Sequence, residues 1–85
     1  MSITVRYFAA VREQLGSSEV LPWADIAAHT VGELRQSLIA RSPAHAAALD
    51  LGKGLRTACN QTLCNADQAL QDGDEVAFFP PVTGG

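Results

Sequence analysis

Asp72-Gly73-Asp74-Glu75-Val76-Ala77-Phe78-Phe79-Pro80-Pro81-Val82-Thr83-Gly84-Gly85 is the stretch of this chain that decides its fold. Asp-Gly-Asp is turn chemistry, with short polar side chains that bond nearby backbone flanking a residue free of Cβ constraints. From Glu75 to Phe79 the residues alternate with the period of a strand: Val76 and Phe78 share one face, Glu75, Ala77 and Phe79 the other. The charge on Glu75 marks its face as the outer one, so Phe79 points outward. Pro80 and Pro81 cannot continue a ladder; they stiffen the exit from the strand and hold the last residues away from the body. Gly84 and Gly85 carry no side chains, so this segment can enter a channel too narrow for any Cβ and present a carboxylate to another enzyme. Residues 1–79 are therefore expected to form the folded domain and residues 80–85 a flexible tail.

Working back toward the N-terminus, Ile3, Val5 and Tyr7 alternate with Thr4, Arg6 and Phe8, which predicts a strand whose first set faces the core and leaves Phe8 on the other side. Ala9 to Leu15 reads as a short helix stopped by Gly16, and Glu19 to Trp23 as a second strand whose Pro22 suits a sheet edge. The clearest helix starts at Thr30, where Thr30 and Glu33 form a capping box ahead of Val31, Leu34, Leu38 and Ile39; Ser42-Pro43 ends it. Ala44 to Leu51 has helical propensity without a strong apolar stripe. Leu55 to Asn60, a turn at Asn60-Gln61, and Thr62 to Cys64 complete the order. Strand, strand, helix, strand, short strand, strand predicts an α+β fold, a mixed sheet curled over one main helix. Its first and last strands lie side by side and parallel, because a crossover intervenes.

Composition narrows the function. A chain of 85 residues, 47% hydrophobic and 18% charged, is one globular domain without room for a separate catalytic one. A net charge of −3 with no basic stripe argues against nucleic acid and suggests a partner surface of basic character. No apolar run approaches the roughly 18 residues of a membrane span and no signal-peptide pattern opens the chain, so the expected setting is the cytoplasm. Cys59 and Cys64 have no histidine at ligand spacing and read as free, buried or half-buried thiols; no metal site is expected. Gly52-Lys53-Gly54 fails the P-loop pattern, since Gly54 fills the slot a Ser or Thr needs. His29 and His45 lack an obvious partner for a catalytic triad and are expected to face solvent. By strand parity Phe8, Leu63 and Phe79 fall on a sheet face that is otherwise polar. They form either an exposed interface patch or a surface packed beneath the Ala9–Leu15 or Ala44–Leu51 segments.

Asn60-Gln61-Thr62-Leu63, Leu70 and the whole run from Asp72 to Gly85 resemble the small, sulfur-carrier subunits of molybdopterin synthase, a ubiquitin-like family; Phe8-Ala9-Ala10-Val11-Arg12-Glu13 is similar too. The resemblance spans most of the chain and is weaker from Ser17 to His29 and from Pro43 to Gly54. It implies the β-grasp fold and a subunit that is no enzyme on its own. Gly85 would be adenylated in trans by a ubiquitin-activating-enzyme-like adenylyltransferase using ATP, with no cofactor bound here. A sulfur donor protein would then displace AMP to leave a thiocarboxylate, which passes its sulfur to cyclic pyranopterin monophosphate in the large synthase subunit. Two sulfurs per dithiolene imply two charged carriers per substrate, hence a heterotetramer. Carried over by position, Gly84 and Gly85 are the reactive tail, Pro80, Pro81, Val82 and Thr83 its guide, and Phe8, Leu63 and Phe79 the contacts with the large subunit and, in alternation, the activating enzyme. Cys59 and Cys64 receive no sulfur-transfer role. The same glycine chemistry would serve a carrier for thiazole or cysteine synthesis, or a ubiquitin-like modifier ending in an isopeptide bond; an inert binding module is the remaining alternative. Phe78 to Thr83 favours the molybdopterin assignment.

Overall fold

The computed structural model of the chain describes residues 1–81. Strand β1 (Ser2–Tyr7) buries Ile3, Val5 and Tyr7, each at most 1% exposed, as the alternation predicts. It ends one residue short of the predicted limit. Phe8 keeps extended backbone and becomes the N-cap of helix α1 (Ala9–Leu15), while Ala9 takes a φ of 55° at the bend. Gly16, at φ 91°, closes α1 by donating its N–H to the Arg12 carbonyl at 2.8 Å. Strand β2 (Ser18–Pro22) returns antiparallel to β1, with Val5 opposite Glu19 and Ile3 opposite Leu21. Being the sheet's outer strand, β2 tolerates a residue that has no N–H to donate.

After a 3-10 turn at Trp23–Asp25 comes α2 (Val31–Ile39). The Thr30 hydroxyl accepts the Glu33 N–H at 3.1 Å as the capping box requires, but the Glu33 carboxylate reaches back to the His29 N–H, at 2.7 Å, instead of that of Thr30. The remaining first-turn donors of α2 are met from outside: the Val31 N–H bonds the Gln68 carbonyl and the Gly32 N–H bonds the Ala66 carbonyl, each at 2.9 Å. Ser42-Pro43 does more than end α2. Ser42 caps a further helix, α3 (Pro43–Leu49), accepting the His45 N–H at 3.1 Å, and Pro43 occupies the first turn, where a missing N–H costs nothing. The Arg35 side chain ties α2 to the end of α3, donating from Nε to the Leu49 carbonyl and from Nη2 to the Asp50 carbonyl, both at 2.8 Å.

Strands β3 (Arg56–Cys59) and β4 (Thr62–Cys64) form a hairpin whose turn, Asn60-Gln61, has φ of 52° and 69°, the paired positive values of a type I′ turn. The last strand, β5 (Glu75–Phe79), completes a five-stranded sheet in the order β2-β1-β5-β3-β4. β5 runs parallel to β1 and antiparallel to β3, so the first and last strands are neighbours in the middle of the sheet, as the crossover predicts. This is the β-grasp arrangement that the resemblance implies.

The core lies on one side of the sheet only. Ile3, Val5, Tyr7, Val76 and Phe78 meet Val11, Val31, Leu34, Leu38, Ala48 and Leu49 from the helices. The Tyr7 and Phe78 rings stack across the parallel pair with centroids 6.4 Å apart. The phenol of Tyr7 is polar, and its hydroxyl donates to Glu19 Oε2 at 2.8 Å. The same oxygen lies 2.7 Å from His45 Nε2, so His45, expected in solvent, instead presents a side chain only 14% exposed to this cluster. The sequence gives no warning of this contact, because Glu19 and His45 sit on different elements and meet only when α3 packs against the sheet. His29 is exposed, as expected.

Candidate functional site

Position along the strands decides what the uncovered sheet face displays. Across it runs a row set by ladder register: Ser18 on β2, Arg6 on β1, Ala77 on β5, Ala58 on β3 and Leu63 on β4. Three of these side chains are small, which leaves the centre of the face shallow. Phe8 continues from β1 and Phe79 ends β5, so both rings sit at one end of this face. A groove there is lined by Arg6, Phe8, Ala9, Ala77, Phe79, Pro80 and Pro81. The Arg6 guanidinium lies over the Phe8 ring, 5.5 Å from its centroid, and 3.8 Å from the Glu75 carboxylate. That stacking keeps Phe8, 40% exposed, standing on the surface in one orientation.

The predicted patch is thus assembled in part. Phe8 and Phe79 share the groove with both prolines. Leu63, 63% exposed, lies across the sheet on β4 and lines a second groove with Arg56, Cys64 and Pro81. Pro81 borders both grooves and links the two parts of the patch. Helices α1 and α3 do not cover Phe8, Leu63 and Phe79, for both pack on the opposite side of the sheet. Val82, Thr83, Gly84 and Gly85, predicted as guide and reactive tail, lie outside the described residues.

One apolar residue of this face escapes prediction from sequence. Val20, 65% exposed on β2, stands opposite Thr4 on the outer side. The available signal was that Leu21 pairs with Ile3 in the core, which forces its neighbour outward; the polar Glu19 on the inner side obscured it.

The two thiols differ in their surroundings. Cys59 is buried and Cys64 half-buried, both reduced. Burial, reinforced by the nearby Asp74 carboxylate, pushes the Cys59 thiol up to about 11, so at neutral pH it holds its proton and is a poor nucleophile. The described residues hold no group of three or more His, Cys, Asp or Glu side chains arranged to bind a metal, and no helix among them is long and apolar enough to cross a membrane. What they provide is a rigid open face and a strand that ends in two prolines.

Comparison with known proteins gives that arrangement a context. The ThiS family model matches residues 5–85. The molybdopterin synthase sulfur carrier subunit of Escherichia coli is 53% identical over 83 residues, covering 98% of this chain and 99% of that protein. Among solved structures, a protein–protein complex of subunits 1 and 2 of the molybdopterin-converting factor from Helicobacter pylori contains a chain that superposes with a TM-score of 0.64 at 31% identity, with complete coverage of both. The small archaeal modifier protein 1 of H. volcanii superposes with a TM-score of 0.74 at 26% identity, covering 95% of this chain and 98% of that one.

Proposed function

The chain belongs to the ThiS family, and on that premise we propose that it is the sulfur carrier of molybdopterin synthase, a subunit that donates sulfur and catalyses nothing alone. The observation that carries this reading is the 53% identity to the Escherichia coli sulfur carrier subunit across essentially the full length of both chains. The Helicobacter pylori complex of subunits 1 and 2 supports a second, larger subunit as partner. In the proposed cycle a Gly85 carboxylate oxygen attacks the α-phosphorus of ATP on an activating enzyme, releasing pyrophosphate and leaving an acyl-adenylate. The terminal sulfur of a donor-protein persulfide adds to the acyl carbon and AMP departs; a second thiol then reduces the S–S bond of the resulting acyl disulfide, forming a disulfide itself and leaving a thiocarboxylate. Its sulfur is anionic at neutral pH and strongly nucleophilic; inside the large subunit it attacks a carbon of the pyranopterin substrate with loss of an oxygen substituent, and hydrolysis of the resulting thioester leaves the sulfur on the substrate and returns the Gly85 carboxylate. Gly84 and Gly85 pass where a Cβ would not; Pro80 to Thr83 guide them; Phe8, Leu63 and Phe79 seat the carrier on its partners in turn.

The geometry suits a carrier. β5 is bonded on both sides, so the tail starts from a fixed point, and the open face beside it is free to be read by one partner and then the next. The test is intact-protein mass spectrometry after coexpression with the activating enzyme and sulfur donor. One oxygen replaced by sulfur, located on Gly85 by fragmentation, is the expected result. Gly85→Ala is expected to fold normally and to lose at least about ten-fold in sulfur transfer, since a single misplaced methyl in a confined reacting site costs that much; normal molybdopterin formation by this variant would count against the tail mechanism. The likeness to a small archaeal modifier favours one second reading, attachment to target lysines. It predicts an isopeptide-linked conjugate in place of the sulfur shift.

A further inference from the structure

Three grooves meet at the two prolines. One holds Arg6, the second Arg35 and Arg56, and the third, beside α1, holds Lys53 and Leu55 against Pro80. Four of the six Lys and Arg residues of the chain therefore line the place from which the tail departs, while Glu75 is the single one of nine Asp and Glu residues that does. Carboxylates gather elsewhere: Asp72 meets the Met1 ammonium at 2.7 Å, and Asp74 accepts from Asn60 at 2.9 Å, at the opposite end of β5. Among the described residues neither Lys53 nor Arg56 forms an ion pair, and both are exposed.

We propose that the tail end of this molecule is a cationic rim around the Phe8, Leu63 and Phe79 patch, and that it docks against acidic side chains bordering the tail channel of the large subunit. The inference rests on the carrier reading above and reverses the partner charge suggested by composition. A net charge of −3 is a sum over the whole surface, whereas an approaching partner responds to charges within a Debye length of about 8–10 Å. Among the described residues, the grooves that include Pro80 and Pro81 are lined by four cations and one carboxylate. The cations are interleaved with aromatic and aliphatic side chains over three separate grooves. That is the anatomy of a protein interface, an apolar centre with a charged rim, and it is too dispersed to cradle one nucleotide phosphate. Rim charges of this kind accelerate encounter and fix orientation.

The experiment is stopped-flow association of the full chain with the large subunit of the same organism, from about 50 to about 500 mM NaCl, a range that shortens the Debye length several-fold. The expected on-rate falls about ten-fold or more as salt rises. Lys53→Glu combined with Arg56→Glu is expected to bind about ten-fold more slowly at low salt and to lose most of that salt dependence, with an unchanged melting curve showing that the fold is intact. A double variant with wild-type on-rate and salt slope overturns the cationic rim while leaving the carrier reading in place, and so does a variant that associates faster than wild type, which would mean a basic partner. Absence of any complex with the wild-type chain overturns both readings.

Discussion

Glu19 shows how one side chain ties an edge strand to the core. It sits on the inner side of β2, where burial alone would raise its pKa. The hydrogen bonds from His45 and Tyr7, with the electrostatic pull of His45 and of the Arg41 guanidinium, outweigh that and hold it below the usual carboxylate range. A carboxylate can only accept, so the proton of the His45 contact is on Nε2, and Nδ1 is left to face the Ser42 hydroxyl at 2.7 Å. Because the folded pKa is the lower one, the cluster contributes stability above the unfolded value of about 4.3 and loses it as pH falls through the folded value. Glu19→Gln is expected to cost roughly 1–3 kcal/mol in urea unfolding at neutral pH and much less at a pH below the folded pKa, where wild type has lost the same charge. An equal cost at both values would mean that packing, not the carboxylate, holds β2. Tyr7 runs the other way: burial, and then the hydrogen bond to Glu19, raise its pKa, so its contribution is complete below about 10 and fades above it. On the outer face, Phe79→Lys is expected to leave the fold intact and weaken large-subunit binding at least about ten-fold by burying an unpaired charge. Unchanged affinity by calorimetry would remove Phe79 from the interface. Phe8 and Phe79 were legible as outward residues from parity alone. The Glu19–His45 pair was not, since nothing in a linear sequence says which two of its polar groups a fold will press together.

At the level of elements, α2 is the piece most fully announced by its own residues, from the Thr30 cap to the spacing of Val31, Leu34 and Leu38, all buried. The sequence does not reveal how its first turn is held. Gly32 sits against the loop that follows β4, and an added Cβ would lie 2.8 Å from the Ala66 Cβ and 3.1 Å from the Ala66 carbonyl oxygen, the acceptor of its own N–H. Gly32→Ala gains up to about 1 kcal/mol of helix propensity. It also forces the loop off the helix and stretches the two bonds that close its N-terminus, at about 1–3 kcal/mol for overpacking. A net loss of about 1 kcal/mol in denaturant midpoint is expected; a gain would show that the loop yields freely. The Ser42-Pro43 pair was legible as a boundary, but its second role in starting α3, as a cap residue followed by proline, was not read from it. The low apolar content of Ala44 to Leu49 hid it, because α3 needs only Ala48 and Leu49 to reach the core.

Over the whole molecule, the mixed sheet with β1 and β5 paired in parallel could be derived from element order, since two strands separated by a crossover have few other ways to meet. Surface charge could not. It depends on which loops come together around Pro80 and Pro81, and Lys53 and Arg56 reach that place from a 3-10 turn and a strand that the chain visits well before β5. The same topology has a mechanical side. A pull applied through Pro81 enters β5, which is hydrogen-bonded to β1 on one edge and to β3 on the other. The load runs along the strand, so the bonds of both ladders are sheared together instead of being unzipped singly. A pull on the tail end is therefore taken up by the folded domain as one unit, with β1 and β3 sharing the load that enters through β5.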